Sequence, residues 1–189
     1  MDNILIVSNT SSTMGIIADL LRSEKISSIV TAQKSSDAKR YIMDMDFDLI
    51  VIDTPLPDEL GLDLSIFSAE KSRAGIILIV DMTRALEISA EVEDYGIFAL
   101  PKPVSSEFFY MATKLLTAAR KRVFMLENEN QKLQKKIDEI RIVDRAKLVL
   151  IQTLKMTEPQ AQRYIEKQSM DLRQTRLQTA ENVLRTYEK

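Results

Sequence analysis

The 189-residue chain has no cysteine and no histidine. That excludes disulfides, thiol nucleophiles, Cys/His metal sites and the commonest general base together. Glycine is scarce, with 4 residues, all before residue 97. No glycine-rich phosphate loop is present, so an enzyme is the least expected reading. No apolar run approaches the roughly 18 residues a membrane span needs. The opening Met1-Asp2-Asn3 lacks the basic flank of a signal peptide. A cytoplasmic protein without membrane contact is expected.

What is present divides in two. The hydrophobic fraction of 45% is ample for a core, and the net charge of −2 conceals an asymmetry. Residues 1–119 hold 10 basic and 18 acidic residues, a net −8, whereas residues 120–189 hold 16 and 10, a net +6. An acidic half followed by a basic half predicts two domains with different partners. A basic half permits nucleic-acid binding without requiring it.

The first half alternates apolar strands with helices. Asn3–Ser8, Ser28–Ala32, Asp48–Ile52, Ile76–Val80 and Ile97–Leu100 read as strands. Thr13–Ser23, Ser35–Met45, Leu62–Glu70 and Arg84–Asp94 carry apolar residues at helical spacing. Repeated β-α alternation predicts a five-stranded parallel, doubly wound sheet with chemistry beyond the strands' carboxyl ends. Those ends hold Ser8, Asn9, Asp53, Asp81 and Lys102.

From about Ser105 to Leu154 a single long helix is expected, since Phe108–Val149 contains neither proline nor glycine. It carries a heptad, with Ala112, Ala119, Leu126, Leu133 and Ile140 at d and Leu116, Val123, Asn130 and Ile137 at a. One Asn at an a position favours a parallel dimer at some cost in stability. Arg122 at g can reach Glu127 at e of a partner, whereas Lys136 and Arg141 in the same relation repel. The competing reading packs this stripe on its own domain.

Beyond the helix, Thr157-Glu158-Pro159-Gln160 is a capping-box start for a helix to about Met170. Asp171 is expected to cap a last helix carrying Leu172, Leu177, Ala180, Val183 and Leu184. Together with the end of the long helix these form a small all-α three-helix bundle. The expected domains are 1–119, a coiled-coil linker over 112–144, and the bundle over 142–189.

Asp53 closing a strand, Pro57 and Gly61 after it, and Lys102-Pro103 closing the last strand resemble a response-regulator receiver domain with a flavodoxin-like sheet. The resemblance implies Asp53 as candidate phosphoacceptor for a histidine kinase, with Lys102 at the phosphate. It also implies an acidic pair for Mg²⁺, but Ser8 and Asn9 stand there, so no cofactor is expected and Mg²⁺ binding should be severely weakened. Val80 or Asp81 replaces the family's switch hydroxyl, and Ala99 replaces a frequent aromatic. A plain ion pair between Asp53 and Lys102, with a docking role for the domain, is the competing reading.

Arg145-Ala146-Lys147, Met156–Ala161, Ser169-Met170-Asp171 and Ala180, behind such a receiver, resemble the ANTAR domain of transcription antiterminators. Leu148 stands where that family usually has Gly. The resemblance implies RNA binding, to a leader element of two hairpins, that prevents terminator formation. Arg145, Lys147, Arg163, Lys167, Arg173 and Arg176 are candidate phosphate contacts, and Gln152, Gln168 and Ser169 candidate base contacts. Each cation can equally be a solvated helix face, and Ser169-Met170 a tight helix junction. Tyr164 and Tyr187 can stack bases or sit in the core. The expected partners are RNA, a second copy of the chain, and a histidine kinase or a sequestering protein. Alternatives of other classes are a DNA-binding regulator, which lacks the helix-turn-helix glycine turn here, and a scaffold using receiver and coiled coil only for assembly.

Overall fold

The apolar runs form a five-stranded parallel sheet in a computed structural model that describes residues 3–21 and 26–188. Strands β1 (Asn3–Val7), β2 (Ser28–Ala32), β3 (Leu49–Asp53), β4 (Gly75–Val80) and β5 (Ile97–Pro101) take the order β2-β1-β3-β4-β5. Between them run α1 (Ser11–Leu21), α2 (Ser35–Asp44), α3 (Leu62–Lys71) and α4 (Ala85–Val92), and α5 (Ser106–Leu154) follows β5. Side chains alternate between the two faces of the sheet. Leu5, Val7, Ile50, Ile52 and Leu78 meet Ala38, Ile42, Leu64, Ile88 and Val92 on one side. Ile4, Ile6, Val51 and Ile77 meet Met14, Ile17, Phe109 and Ala112 on the other. Covering both faces explains why these strands are continuous apolar runs rather than alternating ones. Each fully buried Leu or Ile contributes about 1.5–3 kcal/mol.

Two helices of the first half differ from expectation by more than one residue in their bounds. α1 starts at Ser11 rather than Thr13, because the Met14 amide already bonds the Thr10 carbonyl at 3.2 Å. Arg22 and Ser23, the last residues of the expected helix, lie outside the described residues. The segment expected to be helical over 84–94 is α-helical only from Ala85 to Val92, between 3₁₀ turns at Met82–Arg84 and Glu93–Tyr95. Asp81 caps the first turn by accepting the Thr83 amide at 2.9 Å, and Gly96 at φ 69° ends the second.

The chain divides into two compact units, Met1–Phe124 and Met125–Lys189. The opening turns of α5 belong to the first. Phe109 and Ala112 are buried there, and Leu116 packs where Gly75 has no side chain. Arg120 pairs with the Asp48 carboxylate and donates to the Arg73 carbonyl at 2.9 Å. The first two heptad positions are therefore spent inside the receiver-like unit, where the sheet's apolar face outcompetes a seam. From Val123 onward the stripe is uncovered: Val123, Leu126, Leu133, Ile137 and Ile140 are all exposed in the single chain, Leu133 by 55%.

In the second unit, the end of α5 packs with α6 (Glu158–Asp171) and α7 (Arg176–Tyr187). The core is Ala146, Leu150, Ala161, Ile165, Ala180 and Val183. Three alanines in that core let the helices approach closely, and Leu148, in the place of the family's Gly, faces outward. Gln160 Oε1 accepts the Thr157 amide at 2.8 Å, the capping-box bond that starts α6. Asp171 does not cap α7. It ends α6, and the cap is Thr175, whose Oγ1 accepts the Gln178 amide at 3.2 Å while Gln178 Oε1 accepts the Thr175 amide at 3.0 Å. A reciprocal box satisfies two orphan donors where a lone Asp satisfies one, so the Thr-x-x-Gln pair wins. Leu172 consequently lies in the turn, not in α7. No helix of the described residues is long and apolar enough to cross a membrane.

Candidate functional site

Sheet topology brings Ser8, Asp53, Asp81 and Lys102 to one edge, beyond the carboxyl ends of β1, β3, β4 and β5. Asp53 is 3% exposed, and both its carboxylate oxygens are engaged. Ser8 Oγ donates to Oδ2 at 2.8 Å, and Lys102 Nζ stands 2.7 Å from Oδ1. Lys102 also donates to the Thr54 carbonyl, and Thr54 Oγ1 donates to the Ile79 carbonyl at 2.8 Å. The peptide bonds Thr54–Pro55 and Lys102–Pro103 beside the pocket are cis. An apolar cavity of about 280 Å³ opens alongside, lined by Leu60, Leu78, Val80, Ile88 and Lys102 among others.

The residues present do not fit Mg²⁺. A hard cation needs several oxygen ligands, mostly carboxylates and water. Here Asn9 turns its amide onto the Pro55 carbonyl at 3.1 Å, and Ser8 turns its hydroxyl onto Asp53. Asp81 is taken by Thr83, whose amide and hydroxyl bond its Oδ1 at 2.9 and 2.6 Å. The Thr83 hydroxyl is the main reason the Asp81 carboxyl titrates below its ordinary range, with Lys102 adding to it. Among the described residues, no group of three or more carboxylates is placed to hold a metal.

The loop from β3 to α3 is held by Asp58 and Glu59, which sequence reasoning passed over, and by the backbone of Gly61. Asp58 accepts the Ser35 and Ser36 amides at 2.9 and 3.0 Å, which depresses its carboxyl below the ordinary value. Glu59 accepts the Leu64 amide at 2.8 Å and pairs with Lys39 at 3.1 Å. Gly61 adopts φ +89°, and a Cβ there would stand 2.6 Å from Thr54 Cγ2. Adjacent Asp and Glu in a Pro-rich loop gave a local hint, but their partners on α2 are set only by the fold.

The cationic candidates of the second unit sort into two groups. Lys147 is largely covered, paired with Asp144 at 2.8 Å and Glu158 at 3.3 Å, and the Asp144 carboxylate is the main cause of its raised pKa. Arg145 pairs with Glu188 at 2.7 Å and Arg176 with Glu166 at 3.3 Å. Arg163, Lys167 and Arg173 are exposed on α6 and the turn after it, and Gln152 is exposed near the end of α5. Ser169 is 8% exposed and donates to the Glu166 carbonyl at 2.8 Å, so helix packing has taken its hydroxyl. Met170 beside it faces outward.

A doubly wound 2-1-3-4-5 sheet with an Asp–Lys pair at its carboxyl edge, followed by a small basic helical bundle, defines a signalling input module joined to an output module. Comparison with known proteins agrees. Residues 4–113 match the response regulator receiver domain and residues 131–184 the ANTAR domain. The chain belongs to the response-regulator family, its receiver followed by an ANTAR domain, the architecture of antitermination regulators. It is 29% identical over 171 residues to the transcriptional regulatory protein PdtaR of Mycobacterium tuberculosis, across 90% of this chain and 83% of that one. An adenylate cyclase structure from Rhodopirellula baltica is similar in fold, with TM-score 0.62 and 16% identity over 69% of this chain and 97% of that chain. A receiver domain protein from Clostridium thermocellum gives TM-score 0.58 and 19% identity over 65% and 99%. Both domains of the chain are regulatory modules.

Proposed function

We propose that the protein is a cytoplasmic, non-enzymatic transcription antiterminator that binds a two-hairpin leader RNA as a homodimer. The observation that carries this reading is an ANTAR bundle with exposed cations at Arg163, Lys167 and Arg173, behind a helix whose apolar stripe is uncovered from Val123 to Ile140. Pairing two copies along that stripe removes the exposed apolar surface and doubles the number of RNA-binding bundles. Linking two bundles lets the second hairpin bind at a high effective concentration. Antitermination then follows from occupancy: hairpins held by protein are unavailable to the competing terminator.

The input arrives at the receiver by protein contact rather than by Mg²⁺-dependent phosphoryl transfer. Ser8 and Lys102 already occupy the two oxygens of Asp53, and the charge neutralisation such transfer requires is missing.

The test is binding of purified full-length protein, without phosphodonor, to a synthetic two-hairpin RNA. A scrambled-loop RNA and a DNA duplex serve as controls across a salt series. Loop-dependent binding that weakens with salt is expected. Equal affinity for all three nucleic acids would overturn the reading in favour of a non-specific or scaffold role.

A further inference from the structure

The bundle holds a second polar feature besides its cations. A cleft of about 120 Å³ lies between α6 and α7, with Tyr164, Gln168 and Leu172 on one side and Thr179, Asn182 and Tyr187 on the other. Two aromatic rings, two carboxamides and a hydroxyl around so small a space are not the composition of a hydrophobic joint. Val183 of the bundle's core also lines this cleft, and Tyr164 and Tyr187 pack against that core.

Two of these polar groups are unused. Thr179 is 3% exposed, and its Oγ1 is buried without a hydrogen-bond partner among the described residues. A buried, unsatisfied hydroxyl is destabilising and calls for an explanation. The Gln168 carboxamide, half-buried at the same cleft, has no side-chain hydrogen bond among the described residues. Asn182 donates its amide to Gln174 Oε1 at 3.2 Å, which leaves its own Oδ1 as an acceptor. Burial, with the Tyr187 hydroxyl nearby, pushes the Tyr164 phenol above its ordinary pKa.

A third observation lies in the turn. Arg173 adopts φ 51° as the left-handed residue that closes α6, where its amide bonds the Met170 carbonyl at 3.2 Å and the Gln174 amide bonds the Ser169 carbonyl at 2.9 Å. Its neighbours are Leu172, which lines the cleft, and Gln174, which bonds Asn182. Arg173 is exposed there, next in the chain to Leu172 of the cleft wall.

We propose that this cleft receives one unstacked nucleobase of the bound RNA. Tyr164 and Tyr187 give the base an aromatic surface, Gln168 and Asn182 meet its hydrogen-bonding edge, Thr179 Oγ1 gains its missing partner, and Arg173 takes the adjacent phosphate. Loop bases are read in this manner because, once splayed out, they offer a π-face and a free edge to side chains. The cleft is suited to a single planar heterocycle and is too small for a base pair. This rests on the RNA-binding reading above and adds to it which residues carry sequence recognition.

The experiment measures affinity of the full-length protein for the two-hairpin RNA, intact and with each loop position made abasic in turn. The variants are Thr179→Val, Gln168→Ala and, as a phosphate-contact control, Arg163→Ala. For wild type, one loop position should lose about ten- to a hundredfold in affinity when abasic, as expected for one stacked base. Gln168→Ala and Thr179→Val should weaken binding to intact RNA and show no further loss at that same position, whereas Arg163→Ala remains additive with it. Thr179→Val should at the same time raise the melting temperature, a combination a purely structural threonine cannot produce. If the wild type binds but both cleft variants bind equally well, or lose affinity additively at every loop position, the cleft is not the base site and the RNA reading stands. If the wild type binds none of the RNAs, both readings fall.

Discussion

Gly61 is held by two constraints at once, its positive φ and its close approach to Thr54. Gly61→Ala should therefore destabilise the receiver by about 1–3 kcal/mol from backbone strain, with the clash adding to it. A urea unfolding curve measures this, and an unchanged midpoint would refute it. Asp58 acts on the same loop through charge. Its folded-state pKa is lowered by the Ser35 and Ser36 amides, so its contribution is present above the ordinary value of 3.8 and is lost as pH falls through the lowered one. Asp58→Asn should accordingly be less stable than wild type at neutral pH, with the gap closing below pH 3.8. At this scale the sequence places side chains at strand ends and on helices but does not give their partners. Asp53 and Lys102 were readable from strand ends, whereas nothing in the sequence said that Ser8 would donate to Asp53. Lys147 and Ser169 looked like RNA contacts by type, and the fold engages one with Asp144 and Glu158 and the other with a helix carbonyl.

Among the elements, α7 shows how a local motif can be overlooked. Thr175-x-x-Gln178 satisfies the same rule as Thr157-x-x-Gln160, whereas Asp171 offers a cap only by following the apparent end of α6. Thr175→Ala should cost about 1 kcal/mol and speed amide exchange across Arg176–Tyr187, whereas Asp171→Ala should leave α7 exchange unchanged. The reverse pattern would restore Asp171 as the cap. α5 is the other instructive element. Its heptad spacing is uniform from Ala112 to Ile140, but burial is not: the first positions pack on the sheet and the later ones are uncovered. Leu133→Asp combined with Ile137→Asp should convert the proposed dimer to monomer in sedimentation equilibrium, with the receiver still folded. A variant that sediments as wild type would remove the seam from the model of assembly.

For the whole molecule, the decisive comparison is between input and output. Wild-type protein incubated with a small-molecule phosphodonor and Mg²⁺ should gain no phosphoryl mass. Ser8→Asp combined with Asn9→Asp restores two carboxylates beside Asp53 and should create Mg²⁺ binding, read by calorimetry, before any phosphorylation is assayed. Phosphorylation of the wild type on Asp53 would overturn the protein-contact reading of the input. The net +6 of residues 120–189 bears on the output, since affinity for RNA should fall steeply with salt.

The sequence alone determined the order of strands and helices, the edge of the sheet where the pocket lies, and the length of α5. These follow from hydrophobic periodicity, helix-stop residues and the rule that parallel sheets concentrate chemistry at carboxyl ends, all of which are local or topological. Only tertiary structure decided which charges are already paired, which part of the heptad is uncovered, and that Gln168, Thr179 and Asn182 share one cleft. Those residues lie on two helices joined by a turn, and whether their side chains meet depends on helix packing, which leaves no spacing in the chain to read.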